Sequence, residues 1–206
     1  MPLVLSKHSV KILLALGSLG PLIWLAYLII LERQQPTSGL GPEPVEGMLH
    51  YLGVWSMNAL LVAYSVSPLR RVLRQPVLGR SRRMMGLFAF TSVVLHLAAY
   101  IVLYAQSSLH LILEDFVERT YITAGLAAFL GLLLMAITST GRWRRRLGQR
   151  WLQLHKAIYA IIPLALLHLF WLRKDGYEDV SFYTVWFFLL LAERMYNRRK
   201  TKIVLR

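Results

Sequence analysis

The sequence predicts an all-α integral membrane protein: a bundle of six transmembrane helices with both termini in the cytoplasm. Three observations support this fold class, namely the composition, six long apolar segments, and an uneven distribution of charge. The chain has 206 residues, of which 56% are hydrophobic, and a mean hydropathy of +0.50. Such values are unusual for a soluble domain. Cysteine is absent, which excludes disulfides, iron–sulfur clusters and thiol catalysis.

Six segments approach the length of about 20 apolar residues that a spanning helix needs. They cover residues 10–31, 46–66, 84–104, 119–138, 151–172 and 179–195. The first segment has no convincing small-residue cleavage site, so we interpret it as a retained helix and not as a signal peptide. The segments between them are short and polar. We therefore expect one domain over residues 1–206, with no soluble catalytic module.

Charge predicts the orientation of the bundle. Residues 67–83 carry six arginines and no acid, and residues 141–150 carry five arginines and no acid. Nine of the ten acids lie in the other loops, and Glu193 is the exception. The positive-inside rule then places the arginine-rich loops and both termini in the cytoplasm. The net charge of +14 is explained by this topology, so we expect contact with membrane lipid and not with nucleic acid.

Three histidines lie in strongly apolar stretches: His96, His155 and His168. An ionisable side chain inside a membrane is costly and predicts a functional site. No acid lies in the third or fifth segment to pair with them, whereas neutral imidazole is a good axial ligand for haem iron. Histidines that are only hydrogen-bonded within the bundle are the alternative. His8, His50 and His110 lie near the ends of segments, where solvation explains them.

Depth predicts how the three histidines pair. His96 lies roughly 20 Å along the third helix from its cytoplasmic end, and His168 roughly 27 Å along the fifth, but His155 only about 8 Å. We therefore expect one haem between His96 and His168, with His155 as ligand of a second, inner haem or as an alternative ligand. On an ideal helix His155 and His168 point roughly 140° apart. Pro163, between them, is expected to kink the helix and aim both at one interhelical space.

Several other side chains are weaker candidates. Met84 or Met85 is a conceivable sixth ligand opposite His155, or else packs at the helix end. Tyr100 and Tyr159 each follow a histidine by one turn and could bond a haem propionate or simply pack. The cytoplasmic arginines could pair with propionates, a flavin phosphate or lipid headgroups; those nearest such a cofactor are Arg82, Arg83 and Arg150, beside Trp151. The acidic outer loops, residues 105–118 and 173–180, are our expected surface for a protein partner.

Three stretches carry a family resemblance: RRMMGLFAFTSVVLHLAAY, ERTYITAGLAAFLGLLLMAITST and RRLGQRWLQLHKAIYAIIPLALLHLFW. They resemble the MsrQ (YedZ) family of haem-binding membrane subunits, within the wider group of ferric reductase-like transmembrane domains. The resemblance covers essentially the whole chain. It implies that His96, His155 and His168 are haem ligands. In the oxidases of the wider group, histidine pairs on the third and fifth helices hold stacked haems, whereas this chain has a single clear histidine in its third segment.

The resemblance also implies a function. A protein of this family is expected in the bacterial inner membrane, as a multi-pass protein with one or two b-type haems and an associated FMN. Electrons would come from the quinone pool or a cytosolic flavin reductase. They would pass to MsrP, a periplasmic molybdopterin enzyme that reduces methionine sulfoxide in oxidised envelope proteins. The chain itself would be an electron-transfer subunit, because substrate chemistry lies on the partner.

Two other functions compete with this one. The first is a haem membrane reductase that acts directly on ferric chelates or oxygen. The second belongs to a different class, a cofactor-free transporter or membrane anchor with polar histidines inside its bundle.

Overall fold

The computed structural model of the chain describes residues 7–173 and 176–204, with side chains for residues 12–79, 81–173 and 176–197. Asp175, one of the acids assigned to the outer loops, lies outside the described residues, as do the side chains of Lys7, His8 and Lys11. The described residues form α-helices and no β-strand. The helices are α1 (Lys7–Gln34), α2 (Pro44–Val72), α3 (Pro76–Ala99), α4 (Leu109–Glu118), α5 (Thr120–Ile137), α6 (Gly141–Leu147), α7 (Gln149–Leu154), α8 (Ile158–Leu172) and α9 (Glu178–Val204).

Two irregular segments extend these helices. A π-helix, Tyr100–Tyr104, continues α3, and a 3₁₀ turn, His155–Ala157, joins α7 to α8. Within the described part of the chain, five helical stretches are long and apolar enough to cross a membrane: Ile12–Gln34, Pro44–Val72, Ser81–Tyr104, Thr120–Ile137 and Gln149–Leu172. They correspond to the first five predicted segments. The chain is therefore a multi-pass membrane protein.

The sixth crossing is not among these five stretches. Residues 179–195 do lie in a helix, α9, but acids stand at its start and Glu193 and Arg194 interrupt its second half. The apolar stretch between these charges is short. Whether α9 spans the bilayer, and with it the cytoplasmic position of both termini, stays a prediction.

The prediction that residues 67–83 form a loop is wrong in extent, because the loop between the two helices is much shorter. Helix α2 continues through Arg70 and Arg71 to Val72, and α3 begins at Pro76. Arginine is a good helix former, and proline is well suited to the first turn of a helix, so both helices continue beyond their apolar segments. Two further helices occupy sequence that we expected to be loop, namely α4 on the acidic side and α6 among the arginines.

The main core is formed by α2, α5, α8 and α9, with Ala89 of α3. Leu61 of α2 and Ile162 of α8 have no exposed surface, and Tyr64 and Phe187 pack in the same cluster. Helix α1 lies at the periphery, where large apolar side chains such as Ile23 are exposed. An exposed apolar surface of this kind suits contact with lipid.

The helices that carry the histidines are each supported by a neighbour. Helix α3, with His96, packs along α2, and α8, with His168, packs along α5. A bidentate ion pair joins α2 to α9: Arg71 donates to Glu193 from Nε at 2.9 Å and from Nη2 at 2.5 Å. The packing of α3 on α2 and of α8 on α5 sets the positions of the two histidines.

Candidate functional site

His96 and His168 lie next to each other in the bundle. Their ring centroids are 6.4 Å apart and the ring planes are inclined by 81°. Both side chains are partly buried. Two imidazoles bound to opposite sides of one metal ion, with bonds of about 2.0 Å, have centroids about 6 Å apart. The structure thus brings together the two histidines whose depths matched, at a spacing compatible with axial ligation of one iron.

Each of these imidazoles is bound to a backbone carbonyl through Nδ1. His96 Nδ1 lies 3.1 Å from the carbonyl oxygen of Leu49 on α2. His168 Nδ1 lies 2.6 Å from the carbonyl oxygen of Tyr121 on α5. A carbonyl only accepts, so Nδ1 carries the proton in both rings. Nε2 makes no hydrogen bond to the described residues in either case, so its lone pair is available to a metal.

The donor set of this pair fits haem. A porphyrin supplies four nitrogens to its iron, so that the protein needs to provide only two axial ligands. Among the described residues, no group of three or more His, Asp or Glu side chains is placed to hold a metal ion without a porphyrin. Two neutral imidazoles with free Nε2 atoms are the ligands that the axial positions require.

His155 has different surroundings. Its ring stacks on Trp151, with centroids 4.0 Å apart, and its Nε2 lies 3.3 Å from Thr138 Oγ1. The Thr138 hydroxyl donates to the carbonyl of Leu134 at 2.7 Å, which leaves it to accept from His155 Nε2–H. The guanidinium of Arg82 on α3 is close enough to act electrostatically on this imidazole. In His155, therefore, Nε2 is hydrogen-bonded to Thr138, whereas Nε2 is free in His96 and His168.

The expectation about Pro163 is half right. His155 and His168 do lie against the same helix, since Thr138 follows the end of α5 and Tyr121 lies at its start. The loss of regular α-helix, however, lies at His155–Ala157, more than one turn before Pro163. The 3₁₀ turn has a different rotation per residue from an α-helix, so the angle of an ideal helix does not apply between His155 and His168.

A polar network borders the pair on the α4 side. Tyr100 donates to Asp115 Oδ2 at 2.8 Å, and Arg119 Nε lies 3.0 Å from Asp115 Oδ1. Arg119 also donates to the hydroxyls of Tyr104 at 2.8 Å and Tyr121 at 3.3 Å. These hydrogen bonds, the one to Tyr104 foremost, raise the pKa of the Arg119 guanidinium. The network joins α4 and the π-helix to Tyr121, whose carbonyl binds His168.

Sequence reasoning missed this network. Asp115 was counted as a loop acid, although it is 9% exposed, and Arg119 was not singled out. The sequence did contain a sign of this helix and ion pair. Asp115 and Arg119 are spaced i, i+4, and they follow Ser108, which caps α4 by accepting from the Leu111 N–H.

The remaining candidates lie away from the pair or have other partners. Met85 is buried against Ala63 and Val66, with Met84 packed on the same cluster, so packing accounts for both methionines. Tyr100 is engaged by Asp115, and Tyr159 packs edge-on against Tyr64 at 6.1 Å. The side chains of His50 and His110 are largely exposed, as expected, and so are those of Arg83 and Arg150.

Fold and site together define a class: a multi-pass helical membrane protein with two metal-competent imidazoles inside its bundle. The family model for the ferric reductase like transmembrane component matches residues 46–166, which include His96 and His155 and end two residues before His168. Curated relatives match nearly the whole chain. No solved structure matches it.

Three relatives carry the same name, protein-methionine-sulfoxide reductase heme-binding subunit MsrQ. The protein of Xanthomonas campestris pv. campestris (strain 8004) is 38% identical over 199 residues, covering 94% of this chain and 91% of the relative. That of Xanthomonas axonopodis pv. citri (strain 306) is 37% identical, covering 94% and 88%. That of Caulobacter vibrioides is 34% identical, covering 90% and 86%. The chain belongs to the ferric reductase-like transmembrane family and, within it, to the MsrQ family.

Proposed function

We propose that this protein carries electrons across the membrane through a b-type haem held between His96 and His168, and delivers them to a methionine sulfoxide reductase partner. The observation that carries the proposal is the pair itself, with centroids 6.4 Å apart and both Nδ1 atoms bound to carbonyls. The names of the relatives, as heme-binding subunits, support the choice of ligand.

The residues of the site have separable roles in this function. A bound haem supplies a centre that exchanges one electron at a time. His96 and His168 would hold it, and the carbonyls of Leu49 and Tyr121 keep each Nδ1 protonated, which leaves each Nε2 free to bind iron. The apolar helices around the pair exclude water and, with the axial ligands, set the reduction potential. No side chain of the chain needs to act on methionine sulfoxide.

His155 has two proposed roles. It is either the ligand of a second, inner haem or an alternative ligand to the first. Each requires its Nε2 to give up the contact with Thr138, which lies at 3.3 Å. Arg82, the charged neighbour from α3, has no lone pair to offer a metal, so a second haem would need another ligand opposite His155.

The orientation and the partners are proposals that rest on charge and on the family. Arginine-rich segments on one side favour a cytoplasmic face there, with six crossings of the bacterial inner membrane and both termini in the cytoplasm. Electrons would enter from the quinone pool or a cytosolic flavin reductase, and FMN is a proposed further cofactor by resemblance alone. MsrP is the proposed acceptor, and the acidic segments 105–118 and 173–180 are the proposed contact surface.

Reoxidation of the reduced protein tests this function. Protein reduced with dithionite, and freed of excess reductant, is expected to be reoxidised by MsrP together with methionine sulfoxide, and not by either alone. The family description also favours a second candidate, direct reduction of ferric chelates. Reoxidation by a ferric chelate but not by MsrP with methionine sulfoxide would replace the first function with the second.

A further inference from the structure

The two histidines of the pair are held by the same local arrangement on two different helices. His96 binds the carbonyl of Leu49, and Gly53 lies four residues further along α2. His168 binds the carbonyl of Tyr121, and Gly125 lies four residues further along α5. Residues at i and i+4 lie above one another on one face of a helix. In both cases, then, the imidazole lies on a helix face from which the side chain at i+4 is missing.

The space for each ring depends on the missing side chain. A Cβ atom at Gly125 would lie 2.7 Å from His168 Nδ1, a distance that non-bonded Cβ contacts essentially never reach, and 3.0 Å from Cε1. A Cβ atom at Gly53 would lie 3.3 Å from His96 Cε1 and 3.5 Å from Nδ1. Alanine at Gly125 therefore has to displace the ring, whereas alanine at Gly53 requires a shift of a few tenths of an ångström.

Hydrogen bonding explains why the glycine follows the carbonyl at this spacing. The carbonyl at position i of an α-helix accepts from the N–H at i+4 and has a second lone pair. A side chain that reaches this lone pair from outside must pass the residue at i+4. Glycine within a helix costs about 1 kcal/mol relative to alanine, and at these two positions the approach of the histidine accounts for its presence.

Other glycines of the chain provide a contrast. Gly86, in α3, would place its Cβ in open space, with nothing within 4 Å. Gly131, in α5, would place its Cβ 2.8 Å from Cγ1 of Ile161, an apolar packing contact without a histidine. Where side chains are described, Gly53 and Gly125 are the two glycines with a histidine ring in this position.

We propose that Gly53 and Gly125 are positioning residues that bring the two axial histidines onto helix carbonyls and thereby lower the reduction potential of the haem. This inference rests on the proposed function, because it assumes a haem between His96 and His168. A hydrogen bond from Nδ1–H to a carbonyl fixes the tautomer and makes the imidazole a more basic ligand. A more basic ligand favours the ferric state, so loss of the bond raises the potential.

Four alanine variants of the full-length protein test the proposal: Gly125→Ala, Gly53→Ala, and the controls Gly86→Ala and Gly131→Ala. The measurements are haem per polypeptide, haem affinity, and the midpoint potential from a reductive titration followed in the visible spectrum. Gly125→Ala is expected to lose about 10- to 100-fold in haem affinity, the usual cost of removing an outer-shell partner. Its remaining haem should have a higher potential. Gly53→Ala should shift the potential in the same direction, but less.

The controls separate positioning from packing. Gly86→Ala should match the wild type in every measurement, and Gly131→Ala should lower thermal stability without changing the potential. If Gly125→Ala does not fold, Gly53→Ala decides the question, because the shortest contact of its Cβ atom, 3.3 Å, is less severe. If the folded Gly125→Ala and Gly53→Ala proteins have the same haem potential as Gly86→Ala, the inference is overturned while the proposed function stands. A wild-type protein that binds no haem overturns the proposed function instead.

Discussion

His168 lies 2.6 Å from the carbonyl oxygen of Tyr121, and the hydroxyl of the same tyrosine accepts from Arg119 at 3.3 Å. One residue at the start of α5 therefore contacts both a proposed haem ligand and a charged network on the α4 side of the bundle. Asp115 and Tyr100 complete that network, so Tyr121, whose carbonyl binds His168, links that histidine to α4.

The first prediction concerns the buried acid of this network. Asp115→Asn removes the charge that pairs with Arg119 and weakens the bond from Tyr100. Loss of one partner of a buried hydrogen-bonded charge costs about 1–3 kcal/mol, so we expect a lower melting temperature in detergent. Glu114→Gln is the matched control, because this acid lies one residue earlier on the same helix and forms an exposed pair with His110 at 3.6 Å. Equal melting temperatures for the two variants would show that the network does not stabilise the bundle.

The second prediction concerns the ion pair between α2 and α9. Arg71→Lys keeps the charge but cannot form the bidentate contact with Glu193, and we expect a loss of stability of up to about 1 kcal/mol for this partly exposed pair. A double-mutant cycle of Arg71→Gln and Glu193→Gln, each of which removes the pairing, measures the coupling directly. If the coupling energy is zero, the ion pair does not hold α9 on α2, which leaves apolar packing and the hydrogen bonds of Trp186 and Arg194 to α2.

The third prediction concerns His155. His155→Ala removes the ring that stacks on Trp151 but leaves the carbonyl contacts of His96 and His168 intact. The variant should retain the haem bound between those two residues, measured as Soret absorbance per polypeptide. A fall to about half would identify His155 as the ligand of a second haem. A complete loss would contradict the assignment of the first haem to the other pair.

The fourth prediction concerns orientation, and the absence of cysteine makes it simple to test. Single cysteines replace His110, Arg145 and Thr201, and intact cells are treated with a membrane-impermeant maleimide. His110→Cys should be labelled at once, whereas Arg145→Cys and Thr201→Cys should be labelled only after the cells are permeabilised. Labelling of Thr201→Cys in intact cells, with Arg145→Cys protected, would show that α9 does not cross the membrane.

Sequence patterns predicted the helical class and five membrane-length helices because apolar length is itself the physical requirement for crossing a bilayer. Depth along the helices also indicated that His96 would lie near His168. The sequence did not show the ends of α2 and α3, since arginines continue a helix as readily as they form a loop. Nor did it show α4 as a helix, because its acids are typical of outer loops.

The hydrogen-bond partners of the histidines could not be predicted from the sequence. Every residue has a backbone carbonyl, so the residue types of Leu49 and Tyr121 did not distinguish them from their neighbours as hydrogen-bond acceptors. Gly53 and Gly125 are the only trace of these contacts in the sequence, and a single glycine in a membrane helix has many explanations. The 3₁₀ turn at His155 was likewise hidden, and Pro163 was the nearest visible sign of an irregular helix.

The central claim is that His96 and His168 are the two axial ligands of one haem. Its most direct test is the visible spectrum of detergent-purified protein, oxidised and dithionite-reduced, for the wild type and for His96→Ala, His168→Ala and His110→Ala. The wild type and His110→Ala should show the same reducible Soret band per polypeptide, and each of the other two variants should lose most of it. Normal haem content in either His96→Ala or His168→Ala would contradict the pairing.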